Sequence, residues 1–458
     1  MKIQGFILIL LFVSCANKTI KSNAPMVSIY RNDQVVSNKW KLSDKHSPDI
    51  YFENLKPNET KKVTFKTNKE EVSYNVSDKD VFDFSIEYKG QKYKQRIVGE
   101  VLKKRANFTK EYQLGKHENI DVSIPEVYEL VNVAIAISKY GKMKEGLVVK
   151  DSKYYKRVIK WFEKYSDHKF VKEINTLLEA DTWSYFNVKM NGHAFIFENG
   201  KIARNPFFGS TGFMNNNILA PYMNLMQDFS DKSSFQKFYK DETPFYDSQI
   251  RYFSFNIGLK DMMKWLKRNF PGKGSYDYTH VIFSPLVGSN QSLINFEDNG
   301  FKELQPHVNY PHNYLYDNLR KKGIRETAIN SYRGTIVFTE LNHGFADLVS
   351  EKYKKRIVKA TKDKENWLKP EMQNFYKGIK VFNEYMNWAL VSLRLADLTK
   401  GKEQKELLRQ VNHTMVEKRG FYKFEKLIKY LVPLYKKNKN KKTVAQLYPD
   451  IVKWFEKN

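Results

Sequence analysis

The feature that most constrains the fold of this chain is a change in hydrophobic period near Pro125. Before this proline, apolar residues alternate with polar ones, which is typical of strands with one buried face. After it, apolar residues recur at helical spacing, and a proline is well suited to the first turn of a helix. The sequence therefore predicts an α+β chain in which the strands come first.

The segment of residues 26–110 is predicted to form a small antiparallel β-sandwich. Lys89, Gly90 and Gln91 supply a turn that reverses the chain between two of its strands. The alternating apolar residues are Val63 and Phe65, then Val72, Tyr74 and Val76, then Phe82, Phe84, Ile86 and Tyr88. No catalytic motif occurs in this segment, so we expect a spacer or a binding module.

Residues 118–458 are predicted to form a mainly helical domain with a small sheet. Helical spacing covers residues 127–137, 154–162, 170–178 and 375–398. Strands are expected over residues 194–197, 201–203 and 280–283, and Asn199-Gly200 predicts a tight hairpin between the first two. Residues 205–217 and 288–300 are predicted to be loops.

Residues 1–15 have the pattern of a lipoprotein signal peptide. Lys2 supplies the positive end, residues 6–13 an apolar core too short to span a bilayer, and Ser14 the small residue before Cys15. Cys15, the only cysteine, is predicted to be the acylated N-terminus, followed by a polar tether over residues 16–25. The sequence therefore predicts a lipid-anchored protein of the bacterial cell envelope, in the outer membrane; simple cleavage into the periplasm is the alternative.

The charge of the chain is high, with 78 lysines and arginines against 51 acidic residues and a net charge of +27. A basic chain suggests a nucleic-acid partner. The lysines are nevertheless spread along the whole chain, and no nucleic-acid-binding motif occurs. We therefore expect no nucleic-acid partner; attraction to anionic lipid or polysaccharide, or a lysine-rich genome, accounts better for the charge.

The main candidate for chemistry is the segment of residues 334–347, which reads G-T-I-V-F-T-E-L-N-H-G-F-A-D. Residues 335–338 are predicted to be a short buried strand, with a helix beginning near Leu341. On that helix Glu340, His343 and Asp347 share one face. Zinc peptidases carry H-E-x-x-H here, with two histidine ligands and a glutamate base, but Thr339 replaces the first histidine. Taken alone, E-x-x-H is common on solvated helix faces.

A second candidate, Glu384, lies in the middle of the strongly apolar helix predicted over residues 375–398. A buried carboxylate is costly unless it is paired, protonated or bound to a metal. Arg394 or another arginine could pair with it, or it could join His343 in a metal site. The residues by themselves leave both alternatives open.

The order of these segments resembles a bacterial lipoprotein family known as domain of unknown function 4932. The resemblance is carried by residues 262–270 with Trp265, the P-G-K-G of residues 271–274, the S-P-L-V-G of residues 284–288, the E-x-x-H helix and Asn383-Glu384. Many members carry a complete H-E-x-x-H, which implies a zincin-like metallopeptidase domain of the glutamate type. By position, the resemblance implies Glu340 as catalytic base and His343 and Glu384 as zinc ligands.

Thr339 departs from the family pattern, so a zinc site needs a replacement ligand. Asp347 and His312 are the first candidates, followed by His193 and His307. Three functions remain open: a zinc-dependent peptidase acting on peptides or proteins, a relative that binds peptide or glycan without cleaving it, and an envelope scaffold that acts through the sandwich.

Overall fold

The structure, a computed structural model, describes residues 18–43, 48–116, 120–180, 184–274, 276–288 and 291–458. The predicted signal peptide and Cys15 lie outside the described residues. Helix makes up about 52% and strand about 23% of the chain, which confirms the α+β class. None of the described helices combines the length and the apolar character needed to cross a bilayer.

The front of the described chain consists of strands. They are β1 (Lys18–Ser22), β2 (Met26–Arg31), β3 (Gln34–Lys41), β4 (Asp49–Leu55), β5 (Lys61–Lys66), β6 (Glu71–Val76), β7 (Val81–Tyr88) and β8 (Gln91–Val101). One sheet has the order β3-β2-β5-β6 and is antiparallel throughout. The other has the order β1-β7-β8-β4, in which the central pair is antiparallel and both outer strands run parallel to their neighbours. Val63, Phe65, Phe84 and Ile97 are buried between the sheets.

The prediction of a tether over residues 16–25 is wrong for residues 18–22. These residues form β1, which pairs with β7 and places Ile20 opposite Ile86. Both side chains are buried in the sandwich core. A polar strand with a single apolar residue on its inner side has too weak a pattern to be recognised, and only pairing with β7 makes it a strand.

Helices dominate the remainder. They are α1 (Lys110–Lys116), α2 (Glu126–Ile137), α3 (Lys139–Met143), α4 (Lys153–Phe162), α5 (Lys169–Ala180), α6 (Ser184–Asn191), α7 (Met223–Ser233), α8 (Phe235–Arg251), α9 (Leu259–Asn269), α10 (Asp317–Lys321), α11 (Glu326–Arg333), α12 (Thr335–Ser350), α13 (Lys354–Ala360), α14 (Lys380–Leu398), α15 (Gly401–His413), α16 (Phe424–Asn438) and α17 (Val444–Lys457). The helix start at Pro125 is confirmed, since that residue precedes α2 directly.

Two small sheets lie among these helices. Their strands are β9 (Ile120–Ser123), β10 (Phe195–Glu198), β11 (Lys201–Arg204), β12 (Tyr278–Ser284), β13 (Ser292–Asp298) and β14 (Phe301–Asn309). The hairpin of β10 and β11 is confirmed, and Asn199 and Gly200 both have the positive φ that its turn requires. The larger sheet has the order β13-β14-β12-β9, with β13 antiparallel to β14 at one edge.

The prediction of a loop over residues 288–300 is wrong, because residues 292–298 form β13. Every second residue of β13 is buried, and Asn299 and Gly300 form the hairpin turn to β14 with positive φ values. An asparagine-glycine pair between alternating residues is a strong hairpin signal, so this strand was recognisable from the sequence. The segment of residues 205–217 has no helix or strand, as predicted.

The predicted strand over residues 335–338 is also wrong, because α12 begins at Thr335 and runs without a break to Ser350. A short β-branched apolar run cannot be distinguished from a buried helical turn by its period alone. Similarly, α14 begins at Lys380 and not near residue 375, because Gly378 just before it has a positive φ that interrupts helical geometry.

The helix α12 packs against α14 on one side and against β13 and β14 on the other. Gly344 permits this close approach. A Cβ atom at Gly344 would lie 2.9 Å from the ring of Tyr276 and 3.2 Å from Leu304. The face of α12 that carries the candidate residues therefore lies between the edge of the sheet and α14.

Candidate functional site

A cleft of about 450 Å³ lies between α12, α14 and the first half of β13. It brings together four of the sequence-predicted site residues, Glu340, His343, Asp347 and Glu384. The other lining residues are Phe213, Tyr276, Ser292, Leu293, Asn295, Gly344, Leu348, Tyr376, Lys380 and Asn383. The prediction that a carboxylate and an imidazole share one helix face is thus correct in its geometry.

His343 is held as a cation in this cleft. Its Nδ1 lies 3.0 Å from Oδ2 of Asp347, one helical turn away. Burial opposes protonation, but the hydrogen bond and charge of Asp347, together with the charges of Glu340 and Glu384, outweigh it and raise the pKa of His343 to about 9. The side-chain amide nitrogen of Asn387 lies 2.7 Å from Nδ1 and 3.0 Å from Nε2 of the ring. With the amide turned over, its oxygen would accept a ring proton.

Glu340 is less strongly ionised than an ordinary glutamate. Burial and the nearby charge of Glu384 raise its pKa to about 6, although His343, Lys189 and Arg419 favour the carboxylate. Lys189 on α6 is itself buried, with its ammonium 5.4 Å from the ring centre of Tyr185. Burial lowers the pKa of Lys189 to about 7, and Glu340 opposes that shift. Glu340 therefore has a cationic neighbour that the sequence did not reveal.

Glu384 is paired with an arginine, which decides between the two alternatives for this residue. The arginine is Arg419, whose Nη2 contacts Oε1 of Glu384 and lies 2.8 Å from the hydroxyl of Tyr376. The indole of Trp388 also donates to Oε1 at 3.1 Å. Arg394 lies elsewhere, with its guanidinium 5.3 Å from the ring centre of Phe338.

These residues do not fit a zinc ion. Thr339, in the place of the first histidine, donates its hydroxyl proton to the carbonyl of Ile336 at 2.7 Å and faces its own helix. The carboxylate of Glu384 faces Arg419, so it is not free to bind a metal. Within the described residues, no three His, Cys, Asp or Glu side chains come together as a metal site would require.

The candidate replacement ligands do not repair the site. Asp347 is bonded to His343, and His312 lies outside the cleft with Nε2 3.2 Å from the carbonyl of Pro285. His193 and His307 are buried beside one another on the sheet, with ring centres 6.3 Å apart, and neither lines the cleft. The prediction of zinc ligands at these positions has no support in the geometry.

The cleft continues into a groove of about 550 Å³ along the second half of β13. The two cavities share Tyr276, Asn295 and Leu348. The groove is further lined by Gly272, Lys273, Gly274, Phe296, Glu297 and Lys302. One side of β13 is paired with β14, and in the described part of the chain no strand pairs with its other side. The cleft and groove together therefore follow an open strand edge.

Several site residues were not found from the sequence: Lys189, Tyr376, Asn387 and Arg419. Asn387 lies one turn beyond Asn383 on a helix that was predicted, so its position was accessible by helical spacing. Lys189 and Arg419 are single basic residues among many, and only the packing of distant segments brings them to the cleft.

Comparison of this chain with protein-family models, with curated proteins and with solved structures found no match. The resemblance to the lipoprotein family therefore stays a prediction, and function must be argued from the cleft.

Proposed function

We propose that this protein is a lipid-anchored envelope protein that binds an extended peptide in the cleft and groove beside β13 and does not cleave it by zinc catalysis. The observation that carries the proposal is the position of β13. It is an edge strand along both cavities, from Ser292 and Leu293 in the cleft to Glu297 in the groove.

An open strand edge suits a peptide better than a glycan. Its N–H and C=O groups can pair with the backbone of an added strand, while pockets beside it receive alternate side chains. Seven strand residues span about 23 Å at about 3.3 Å per residue, enough for a peptide of about seven residues. Phe213, Tyr276 and Leu348 offer apolar contacts along this path.

The charges of the cleft also favour binding without metal chemistry. Three carboxylates each have a cationic neighbour: Asp347 has His343, Glu384 has Arg419, and Glu340 has Lys189. A divalent ion would have to displace the arginine and deprotonate the histidine before it could bind. The zinc peptidase therefore ranks second among the candidate functions, and the envelope scaffold has no specific observation in its favour.

The test uses the chain from residue 16, which contains every described residue, and peptides selected on it from a random displayed library. We expect Asn295→Arg to weaken binding at least tenfold, about 1.4 kcal/mol, because Asn295 is exposed and lines both cavities. The matched control is Asn75→Arg, an exposed strand position in the sandwich, which should change affinity less than about twofold. The measurement is fluorescence anisotropy of the labelled peptide.

Methylation of the peptide backbone tests the strand pairing directly. In an added strand, only every second N–H group of the peptide faces β13. N-methylation of those residues should abolish binding, whereas N-methylation of the residues between them should not. Equal effects at both parities would contradict strand addition.

Zinc is measured by elemental analysis in the same preparations. About one zinc per chain, lost in His343→Ala, would contradict the metal-free proposal and restore the peptidase.

A further inference from the structure

The segment between α12 and α14 carries an unusual share of the positive charge. Residues 351–379 contain nine lysines and arginines against four acidic residues, whereas the whole chain of 458 residues has a net charge of +27. The segment contains the short helix α13 and the loop that leads to α14. Nearly a fifth of the net charge is thus placed on this one segment.

Only one face of α13 is used for packing. Ile357 is fully buried, whereas Lys355, Val358 and Lys359 face the solvent. Two nearby carboxylates form ion pairs with other basic residues of the segment: Glu351 pairs with Lys354 at 2.9 Å, and Glu456 pairs with Arg356 at 2.7 Å. The charge of Lys359 also acts on Glu456, without an ion pair between them.

The loop before α14 extends this surface. Gly378 lies beside α13, where a Cβ atom on it would be 4.0 Å from Cγ2 of Val358. Phe375, three residues earlier, exposes 51% of its surface, and Lys377 is exposed next to it. We call Lys355, Val358, Lys359, Phe375 and Lys377 the basic patch. Among the described residues, no carboxylate forms an ion pair at 4.0 Å or less with the three lysines of the basic patch.

We infer that the basic patch docks on the surface of an anionic lipid bilayer. Exposed lysines that form no ion pair are attracted to anionic headgroups, and an exposed phenylalanine between them can enter the interface below the headgroups. A polyanion such as an acidic polysaccharide or a nucleic acid would use the lysines but leave Phe375 and Val358 in water. This inference goes beyond the proposed function, since the basic patch is a second contact with the membrane besides the lipid on Cys15.

Two further observations fit a membrane surface. The predicted acylation site Cys15 precedes β1 by only two residues, so an acylated chain would be held within about 10 Å of the bilayer. Tyr376, which lies between Phe375 and Lys377 in sequence, and Lys380, three residues after Lys377, line the cleft. A docked patch would therefore place the rim of the cleft near the membrane and restrict its ligand to peptide segments close to that surface.

The test is sedimentation of the chain from residue 16 with vesicles of phosphatidylcholine that contain about 30% phosphatidylglycerol, and with vesicles of phosphatidylcholine alone. We expect binding to the anionic vesicles only. The triple variant Lys355→Glu, Lys359→Glu and Lys377→Glu should lose at least tenfold in affinity, since each lysine near such a surface contributes about fivefold. The control triple Lys92→Glu, Lys94→Glu and Lys139→Glu has the same charge change at exposed positions elsewhere and should lose less than about threefold.

The apolar contribution is tested with Phe375→Ser, which should weaken vesicle binding by about fivefold or more. Phe255→Ser, at a phenylalanine that is 78% exposed on another surface, is the matched control and should have no effect.

Equal losses in the two triple variants would overturn the inference, because overall charge and not the patch would then attract the protein. Retention on heparin without vesicle binding would also overturn it and would assign the patch to an acidic polysaccharide. Failure of peptide binding in the preceding test would leave this measurement unaffected.

Discussion

At the scale of single residues, the cleft replaces a metal by side-chain cations. Glu384 lies where the resemblance places a zinc ligand, but its carboxylate is satisfied by Arg419 and Trp388. The guanidinium is delocalised and planar, so it can pair with the carboxylate and lie over the ring of Trp388 at 5.1 Å. A carboxylate of the kind that binds zinc is thus neutralised here by the charge of a neighbouring arginine.

This pairing predicts strong coupling between Glu384 and Arg419. Glu384→Gln or Arg419→Met should each lower the free energy of unfolding by about 2 kcal/mol, because either change leaves a half-buried charge without its partner. The double variant should cost less than the sum of the two, with a coupling energy of about 1 kcal/mol or more. Urea denaturation of the four proteins measures the cycle, and additive losses would show that the pair is not formed.

At the scale of elements, the central sheet has two different faces. Val281, Phe283, Leu304 and Val308 make one face apolar, and α12 lies against part of it. The other face carries polar side chains: Glu303, Gln305 and His307 are buried on it, and His280 is partly buried.

His193 completes a group of three histidines on the polar face. Its ring lies 5.3 Å from that of His280 and 6.3 Å from that of His307, measured between centres. Burial lowers the pKa of His193 and His307 well below the usual range, and burial with the charge of Lys116 lowers that of His280 to about 3. These histidines are therefore neutral in the folded protein.

The neutral histidines predict destabilisation by acid. Their pKa is lower in the folded than in the unfolded chain, so their contribution to stability is complete above about pH 6.5 and falls as the pH falls below it. Each histidine can contribute a slope of up to about 1.4 kcal/mol per pH unit. His307→Gln should reduce the slope of unfolding free energy against pH between about 6 and 4 by roughly this amount.

The slope of the unmodified protein must be compared with that of His307→Gln, because buried carboxylates change the free energy of unfolding with pH in the opposite direction. Burial raises the pKa of Glu129 and of Glu303 to about 7, so each favours the folded chain at lower pH. The exposed His413→Gln serves as control and should leave the slope unchanged. An unchanged slope in His307→Gln would show that His307 is hydrated or charged in the folded state.

At the scale of the whole molecule, buried polar contacts join the sandwich to the helical part. Arg96 on β8 binds Glu173 on α5 and also donates to both carboxylate oxygens of Asp83, at 2.7 and 2.8 Å. Glu100 on the same strand accepts the backbone N–H of Asn217 at 3.0 Å. These contacts connect the segment predicted to be a spacer or binding module to the helical part of the chain.

This connection predicts that the chain unfolds in a single thermal transition. Arg96→Met should lower the free energy of unfolding by about 3 kcal/mol, because Arg96 is buried and its removal leaves Glu173 unpaired, and it should split the transition in two. The control Arg356→Met breaks an exposed pair with Glu456 and should cost less than about 1 kcal/mol. Differential scanning calorimetry distinguishes these outcomes, and two transitions in the unmodified protein would contradict the coupling.

Helices, turns and the residues that share one helix face depend on neighbours along the chain and were predicted from the sequence. The period of apolar residues placed the strands before Pro125 and the helices after it, Asn199-Gly200 located a hairpin, and helical spacing put Glu340 and His343 on one face. Such patterns are local, since they follow from the geometry of a single strand or helix. They were misleading at residues 335–338, where a short β-branched run is buried inside a helix, and they missed the strands β1 and β13.

Only the tertiary structure decided the chemistry of the cleft. Arg419 is 35 residues from Glu384 in sequence, and Lys189 comes from a helix far before Glu340, so no spacing rule connects them. The same holds for β1, which is a strand only because β7 lies beside it, and for β13, whose open edge depends on the order of strands in the sheet. The physical reason is that charge balance and strand pairing are properties of surfaces brought together by folding, whereas a sequence pattern specifies only which residues each element exposes.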